Sequence, residues 1–365
     1  MAEALRALGH DVSFLHLQQP LGDEDPALRA YWGDRLYVFR DRFPASWIRR
    51  GRRKLFRLTA RTLHLDLPVD AYFDPAAARY LAALVDRRPF DVVVVLYVFY
   101  SRLLESLPPG VRRLLDTQDV FSNRYRLYGE HGQAREFFST SPEQEGKALD
   151  RANTVIAIQE GDARHFRSVS RTPVRVVGDL APPLAVEPRG RTAREPALLF
   201  VGGPMGINVH GVSWFIEQVL PIVRGQVPDA ELWLVGGISD RIRRPGPGVR
   251  RFGFVESLED LYRRAALVIN PQRFGTGLSI KSVDALRRGR PLVTMATGAR
   301  GLEEGAGTAF LQGESAEELA RHVVSVLRDP ELAAALGERA VAFAQDYHRR
   351  NLQALADVVN GPDAR

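Results

Sequence analysis

The sequence predicts an α/β protein built from two doubly wound parallel sheets facing a cleft, with the first half lacking its opening strand. Three observations carry this. Short apolar runs rich in β-branched residues alternate with helical patterns through both halves. A stretch rich in Pro, Arg and Gly, Pro182–Pro196, separates the halves. The chain of 365 residues is longer than one core usually supports.

The elements follow in order. Met1–Gly9 reads as an amphipathic helix ending at a glycine, and His10–Leu17 as a strand. A nucleotide-type domain normally opens with a strand, so this chain starts in what reads as the first helix. A start assigned too far downstream is the expected explanation; a first strand that is truly missing is the alternative. Phe90–Phe99 is a continuous run of the buried parallel type, and Val111–Asp116, Thr154–Ile158 and Val174–Val177 read alike. Helical patterns lie at Pro75–Asp86 and Pro142–Ala152. Beyond the linker come strand Ala197–Gly202, helix Val209–Arg224 and strands Glu231–Gly236 and Val249–Phe254. Helix Leu258–Ala265, strand Leu267–Asn270, helix Ser279–Arg288 and strand Leu292–Ala296 follow. Ser315–Leu327, Pro330–Leu336 and Gly337–Val359 read as closing helices. The expected division is a first domain at 1–182, a linker at 183–196 and a second domain at 197–343. A terminal helix, 344–365, is expected to cross back to the first domain, since Phe343, Ala344, Tyr347, Leu352 and Leu355 recur at helical spacing.

Asn270–Pro291 carries the most chemistry. A buried strand runs into a loop with Gly275 and Gly277, and Ser279 stands where a helix would be capped. Such a loop lets backbone N–H groups approach an anion, and the helix dipole favours negative charge there. Lys281 falls in the first helical turn, where a cation opposes the dipole. A local rule broken at a phosphate-type site points to function. Lys281 and Asp284 share one helix face, so one suits a phosphate and the other ribose hydroxyls. The plainer reading is a surface ion pair between them behind an ordinary turn.

The stretch resembles the donor motif of retaining glycosyltransferases of the GT-B fold, family 4, whose two domains are Rossmann-like. The matching residues are Gly275-Thr276-Gly277, Lys281, Asp284-Ala285 and Gly289-Arg290-Pro291-Leu292-Val293. Phe200-Val201-Gly202-Gly203 with Asn208 resembles the first strand and loop of that family's nucleotide domain. Leu234–Gly237 resembles its second strand, and Gly253-Phe254-Val255 the loop that holds the base. Asp116-Thr117-Gln118-Asp119 is similar to a first-domain loop facing the acceptor. The chain departs from the pattern where Thr276 replaces the first of two acids, Asp284 replaces Glu, and Gln118 replaces a frequent His. Pro204 and Met205 stand where many members carry a basic residue.

The resemblance implies a donor site of Gly202, Gly203, Asn208, Gly253, Phe254, Val255, Gly275, Thr276, Gly277, Leu278, Ser279, Ile280, Lys281 and Asp284. It implies an acceptor side of Asp116, Gln118, Asp119 and Arg124, with Lys281 and Asp119 as catalytic candidates. Asp119 as a plain helix N-cap is the alternative, and His131 and His165 read as packing residues. The implied activity moves a sugar from a nucleotide diphosphate sugar to a lipid-linked or polysaccharide-type acceptor, with retention. No metal or cofactor is expected, and no D-x-D signature ends a strand. A second reading is a GT-B protein that binds without catalysing, as a scaffold in envelope polysaccharide assembly. An epimerase or phosphorylase of the same fold is a third.

Composition bounds the rest. Cysteine is absent, which excludes disulfides and Cys-ligated zinc, and the histidines are scattered. No apolar run reaches the roughly 18 residues that span a bilayer, and the chain reads as cytoplasmic. Arg35–Arg61 holds ten cations and one anion in a chain of net charge +6, so the remainder is slightly acidic. Tyr37, Phe39, Phe43, Trp47 and Phe56 interleave the cations. That mixture suits an anionic lipid surface, hence a peripheral position on the inner face of the cell membrane. A solvated face over apolar surface is the alternative. Nucleic acid is not an expected partner.

Overall fold

The computed structural model describes residues 1–18, 26–40, 66–134, 136–184, 195–243 and 245–361. Their contacts group them into two compact units. One comprises described residues of Met1–Tyr125, Phe137–Leu180 and Leu352–Arg365; the other Arg126–Glu136 and Ala181–Asn351. The short segment Arg126–Glu136, expected in the first domain, thus packs with the second unit.

In the first unit β1 (Phe14–Gln18) pairs in parallel with β2 (Leu36–Arg40). Strands β3 (Val92–Leu96), β4 (Arg112–Asp116), β5 (Thr154–Ala157) and β6 (Val174–Val176) form a second parallel sheet in that order. Among the described residues no strand joins the two sheets. β5 is buried at all four positions, as its apolar run requires. The run expected to continue to Phe99 stops at Leu96. Tyr97 turns left-handed, with φ of 70°, and Val98–Ser106 winds as a 3-10 helix. Helix Pro75–Arg87 starts where Asp74 accepts the Ala76 N–H at 2.8 Å. Helix Pro142–Leu149 starts where Ser141 accepts the Gln144 N–H at 3.2 Å. Each has Pro in its first turn, where a missing N–H costs nothing.

In the second unit β7 (Glu195–Val201), β8 (Glu231–Val235), β9 (Val249–Gly253), β10 (Ala265–Asn270), β11 (Leu292–Thr294) and β12 (Leu311–Gln312) form one parallel sheet. Its order is β12-β11-β10-β7-β8-β9. Leu198 and Phe200 of β7 join one apolar cluster, while Ala197 and Leu199 join another. Alternate residues thus face opposite sides, and both sides are covered. Val209–Arg224 is not one regular helix. Gly206–Trp214 passes through a π-turn, Phe215–Val219, into Leu220–Gln226. Pro221 has no N–H to offer the preceding turn, which accounts for the irregularity.

The two helices expected after Pro330 are one, Pro330–Asn360, of 31 residues. Gly337 lies inside it; an interior glycine costs about 1 kcal/mol against alanine, too little to end so long a helix. Ala340, Ala344 and Tyr347 pack with the second unit's core. From Leu352 the helix belongs to the first unit, where Leu355 and Val358 pack with Leu114, Ile156 and Val177. Arg112 donates to the Val359 carbonyl at 3.1 Å and to that of Gly361. The sequence placed this change at Ala344.

Candidate active site

In the parallel sheet of the second unit the order of strand addition reverses between β7 and β10, its first and fourth strands. Open α/β sheets hold ligands at the carboxyl ends of strands beside such a reversal. Two loops meet that description, Gly202–Met205 after β7 and Pro271–Ser279 after β10.

The second loop is built by polar groups at the end of β10. Asn270 is fully buried, and its Nδ2 donates to Ser279 Oγ at 2.8 Å and Ser282 Oγ at 2.9 Å. Ser282 Oγ in turn donates to the Gly298 carbonyl at 2.7 Å. A Cβ on Gly298 would stand 2.3 Å from both Asn270 Nδ2 and Thr294 Oγ1, so the backbone must approach bare. Ser279 occupies the N-cap position of helix Ile280–Arg287, but its hydroxyl makes no cap bond. The expectation that it caps the helix is corrected: the hydroxyl takes the Asn270 amide, which pins the helix to the strand. The first-turn N–H groups are therefore not consumed by a Ser279 side chain. Gly275, at φ of 131°, and Gly277, at 75°, adopt backbone that side chains disfavour. Arg300 donates to the Gly275 carbonyl, and Gln272 Nε2 to that of Phe274 at 3.1 Å.

Lys281 is partly buried in the first turn of this helix. Its Nζ lies 5.6 Å from the centre of the Phe200 ring on β7. Burial pulls its ammonium down to about 8. The Lys281–Asp284 ion pair of the plainer reading is absent. Asp284 instead accepts from Arg287 at 2.7 Å and Arg288 at 3.0 Å, one helical turn on. Arg287 also donates to the Pro182 carbonyl at 3.1 Å. Among the described residues Lys281 has no carboxylate partner, and Asp284 is held by two guanidinium groups.

The first loop is equally shaped. Asn208 donates to the Gly203 carbonyl at 3.1 Å, so its side chain shapes the loop. A Cβ on Gly236 would stand 2.7 Å from the Gly202 oxygen, which ties this loop to the end of β8. Helix Gly206–Trp214 begins with an N–H that donates to Glu136, at 3.2 and 3.1 Å to its two carboxylate oxygens. A protein carboxylate thus sits where the helix dipole draws an anion. His131, from the same segment, stacks on Phe274 with centroids 4.1 Å apart. His210 stands edge-on to Phe274 at 5.3 Å and to His131 at 5.9 Å; burial, then Arg273 and His131, hold it below its usual range. Gly253 ends β9 at φ of 68°, Phe254 beyond it is 90% exposed, and Val255 packs into the core. Thr276 is partly buried, Leu278 packs on the core and Ile280 is exposed. The structure therefore gathers Gly202, Gly203, Gly275–Ile280 and Lys281 at the reversal, while Phe254 lies two strands away.

The expected acceptor residues lie in the first unit at the end of β4. Asp116 is buried, and burial raises its carboxyl to about 6 against a hydrogen bond from Gln118 Nε2 at 2.6 Å. Gln118 is left-handed, at φ of 63°. Asp119 accepts the Val120 N–H at 2.9 Å and pairs with Arg124. It caps no helix, because the next one starts at Arg124. His165 Nε2 lies 2.7 Å from Oε2 of fully buried Glu145, which also accepts from the Phe121 N–H at 2.7 Å and from Ser122. Asn270, Ser282, Arg300, Glu136 and Glu145 were not foreseen. Only an Asn ending an apolar run, nine residues before Ser279, hinted at the first of them.

Residues 195–329 match the family model described as glycosyl transferases group 1. An uncharacterized 44.6 kDa protein in the cps region of Klebsiella pneumoniae is 25% identical over 163 residues, 41% of this chain and 42% of that protein. The match thus spans less than half of that curated relative. The sucrose-phosphate synthase of Thermosynechococcus elongatus superposes with a TM-score of 0.71 at 18% identity, covering 98% of this chain and 90% of that one. HepE of Anabaena, in complex with UDP and glucose, superposes at 0.60 with 16% identity over 95% and 99%. The chain has the fold of GT-B glycosyltransferases, and its residues 195–329 resemble the glycosyl transferases group 1 family.

Proposed function

We propose that this chain transfers a sugar from a nucleotide diphosphate sugar to a glycan-type acceptor, with retention of configuration. One observation carries the reading. A partly buried lysine, with no carboxylate partner among the described residues, stands in the first turn of a helix, behind a glycine loop where the strand order of the sheet reverses. Such a cation needs an anion, and a departing diphosphate supplies one. Lys281 and the N–H groups of Gly277–Ile280 would take up the charge that develops as the sugar–phosphate bond breaks. The leaving oxygen could accept the acceptor's proton, so Gln118 in place of His is compatible with turnover. Phe254 offers an exposed ring to a base. Asp284 serves the ribose only if it exchanges Arg287 and Arg288 for hydroxyls. HepE, a structural neighbour, is described in complex with UDP-glucose, which supports a donor of this class.

A second reading is binding without transfer. Thr276 in the place of an acid, Asp284 tied to two arginines, and Glu136 on the Gly206 N–H favour it. Incubation with a panel of UDP-, GDP- and ADP-sugars, followed by mass spectrometry, separates the two. Slow release of free sugar and nucleotide diphosphate supports transfer chemistry. Nucleotide bound but never cleaved, with any acceptor tried, sinks it and leaves the second reading.

Among the described residues no helix is long and apolar enough to cross a membrane. Peripheral attachment through Arg35–Arg61 is part of the proposal; Asp41–Arg61 lies outside the described residues. Co-sedimentation with anionic vesicles that survives replacement of Arg49, Arg50, Arg52 and Arg53 by Ser would rule it out.

A further inference from the structure

Four non-glycine residues have positive φ among the described residues: Tyr97 at 70°, Gln118 at 63°, Asn123 at 55° and Phe137 at 65°. All four belong to the first unit. Left-handed backbone costs an ordinary side chain about 1–2 kcal/mol. For bulky aromatics such as Tyr97 and Phe137 it is a true outlier, and such outliers gather at binding sites.

The two strained aromatics meet. Phe137 is 52% exposed, and its ring lies edge-on to Tyr97 at 6.1 Å and to Phe99 at 5.6 Å. It also tilts against Phe121 at 5.8 Å. Tyr97 stacks flat on Phe99, 5.1 Å away and 9° from parallel. Phe99 and Phe121 are buried, so Phe137 is presented on a rigid aromatic base. The polar neighbours come from the end of β4. Arg124 stands 5.6 Å from the Phe121 ring and pairs with Asp119. The Tyr97 N–H donates to the Asp116 carbonyl at 2.8 Å, and Asp116 accepts from Gln118.

An exposed apolar ring whose aromatic base adjoins a guanidinium–carboxylate pair matches one chemistry well. A pyranose offers a face of C–H groups and a rim of hydroxyls; the ring takes the face and the planar polar groups take hydroxyl pairs. An acyl chain would want a continuous apolar groove, whereas here one exposed ring rests on three aromatic neighbours, one of which, Phe121, lies 5.6 Å from the Arg124 guanidinium. We propose that Phe137 and Tyr97 form the platform on which the terminal hexopyranose of the acceptor stacks, with Gln118, Asp119 and Arg124 reading its hydroxyls. The inference rests on the transferase reading above and names the acceptor class of that site. Phe137 is a specificity-determining contact; its strain holds the ring outward.

Saturation-transfer NMR on the full chain tests this. The probes are methyl glycosides of glucose, galactose, mannose, N-acetylglucosamine and rhamnose, with n-octyl phosphate as the lipid-like alternative. Saturation is expected on the ring C–H protons of at least one glycoside. Phe137→Ala should weaken that glycoside roughly fivefold to tenfold, as loss of one aromatic contact does. Phe137→Trp should retain it. Phe137→Gly, which relieves the left-handed strain, should melt no lower than wild type yet lose the sugar. Calorimetry with UDP and GDP on the same samples keeps the two readings apart. Nucleotide binding with no glycoside signal, or an unchanged signal in Phe137→Gly, overturns the platform alone. So does saturation confined to the octyl chain. A Phe137-dependent glycoside signal without nucleotide binding keeps the platform and overturns the donor reading.

Discussion

The Lys281 ammonium lies 5.6 Å from the centre of the Phe200 ring, across the reversal of the second sheet, with no carboxylate beside it among the described residues. A cation over an aromatic face gains about 0.5–2 kcal/mol, which only partly offsets removal from water. The site is held short of an anion.

This has a pH consequence. Burial lowers Lys281 from 10.5 to about 8. Between those values the unfolded chain binds a proton that the folded protein does not, so the residue makes stability rise with pH across that window. Lys281→Met should therefore stabilise at pH 7 by roughly 1–3 kcal/mol and lose that gain by pH 10. Ligand binding runs the other way. UDP affinity should fall as pH rises through about 8 in wild type, and stay level in Lys281→Arg. Thermal melts and calorimetry at pH 7, 8 and 9 read both.

Glu136 occupies the first N–H of helix Gly206–Trp214. If the diphosphate reaches that helix end, the carboxylate competes with it. Glu136→Ala should then raise UDP affinity about twofold to fivefold, the usual size of a charge–dipole contact. Unchanged affinity would confine the diphosphate to the Gly275–Ile280 loop.

Asp116 titrates in a window of its own. Its carboxyl is raised by burial from 3.8 to about 6. The folded protein thus holds a proton that the unfolded chain has lost, and this residue's contribution to stability falls as pH rises from about 4 to 6. Asp116→Asn keeps an acceptor for Gln118 and should stabilise by about 2–3 kcal/mol at pH 7, with no gain at pH 4. A gain independent of pH would mean that the carboxyl does not titrate there.

Much of this was legible in the sequence, and the misses share a cause. Most strands from β3 to β11 were readable as apolar runs, and some, such as Thr154–Ala157 and Leu198–Phe200, are buried at every position. The glycine loop and Lys281 were readable because each breaks a local rule. Tertiary partners were not. Nothing near Asp284 in sequence shows that Arg287 and Arg288 would outcompete Lys281 for it; three cations share its helical neighbourhood, and rotamers decide. Ser279 looked like a cap because capping is a local rule, and a buried Asn270 overrode it. The aromatic platform was invisible because Tyr97 and Phe137 are 40 positions apart, and left-handed backbone leaves no mark on an aromatic residue.

The central claim is that a nucleotide diphosphate binds the Gly275–Gly277 loop through Lys281. Calorimetry with UDP and GDP on wild type, Lys281→Ala and Asp284→Ala tests it most directly. A charge-assisted phosphate contact is worth about 1.5–3 kcal/mol, so Lys281→Ala should lose roughly tenfold to a hundredfold in affinity. UMP or GMP, lacking the second phosphate, should be far less sensitive to this change. Asp284→Ala, which removes at most one ribose contact and frees two arginines, should lose clearly less. Equal affinities for the two variants, or full affinity in Lys281→Ala, would contradict the account.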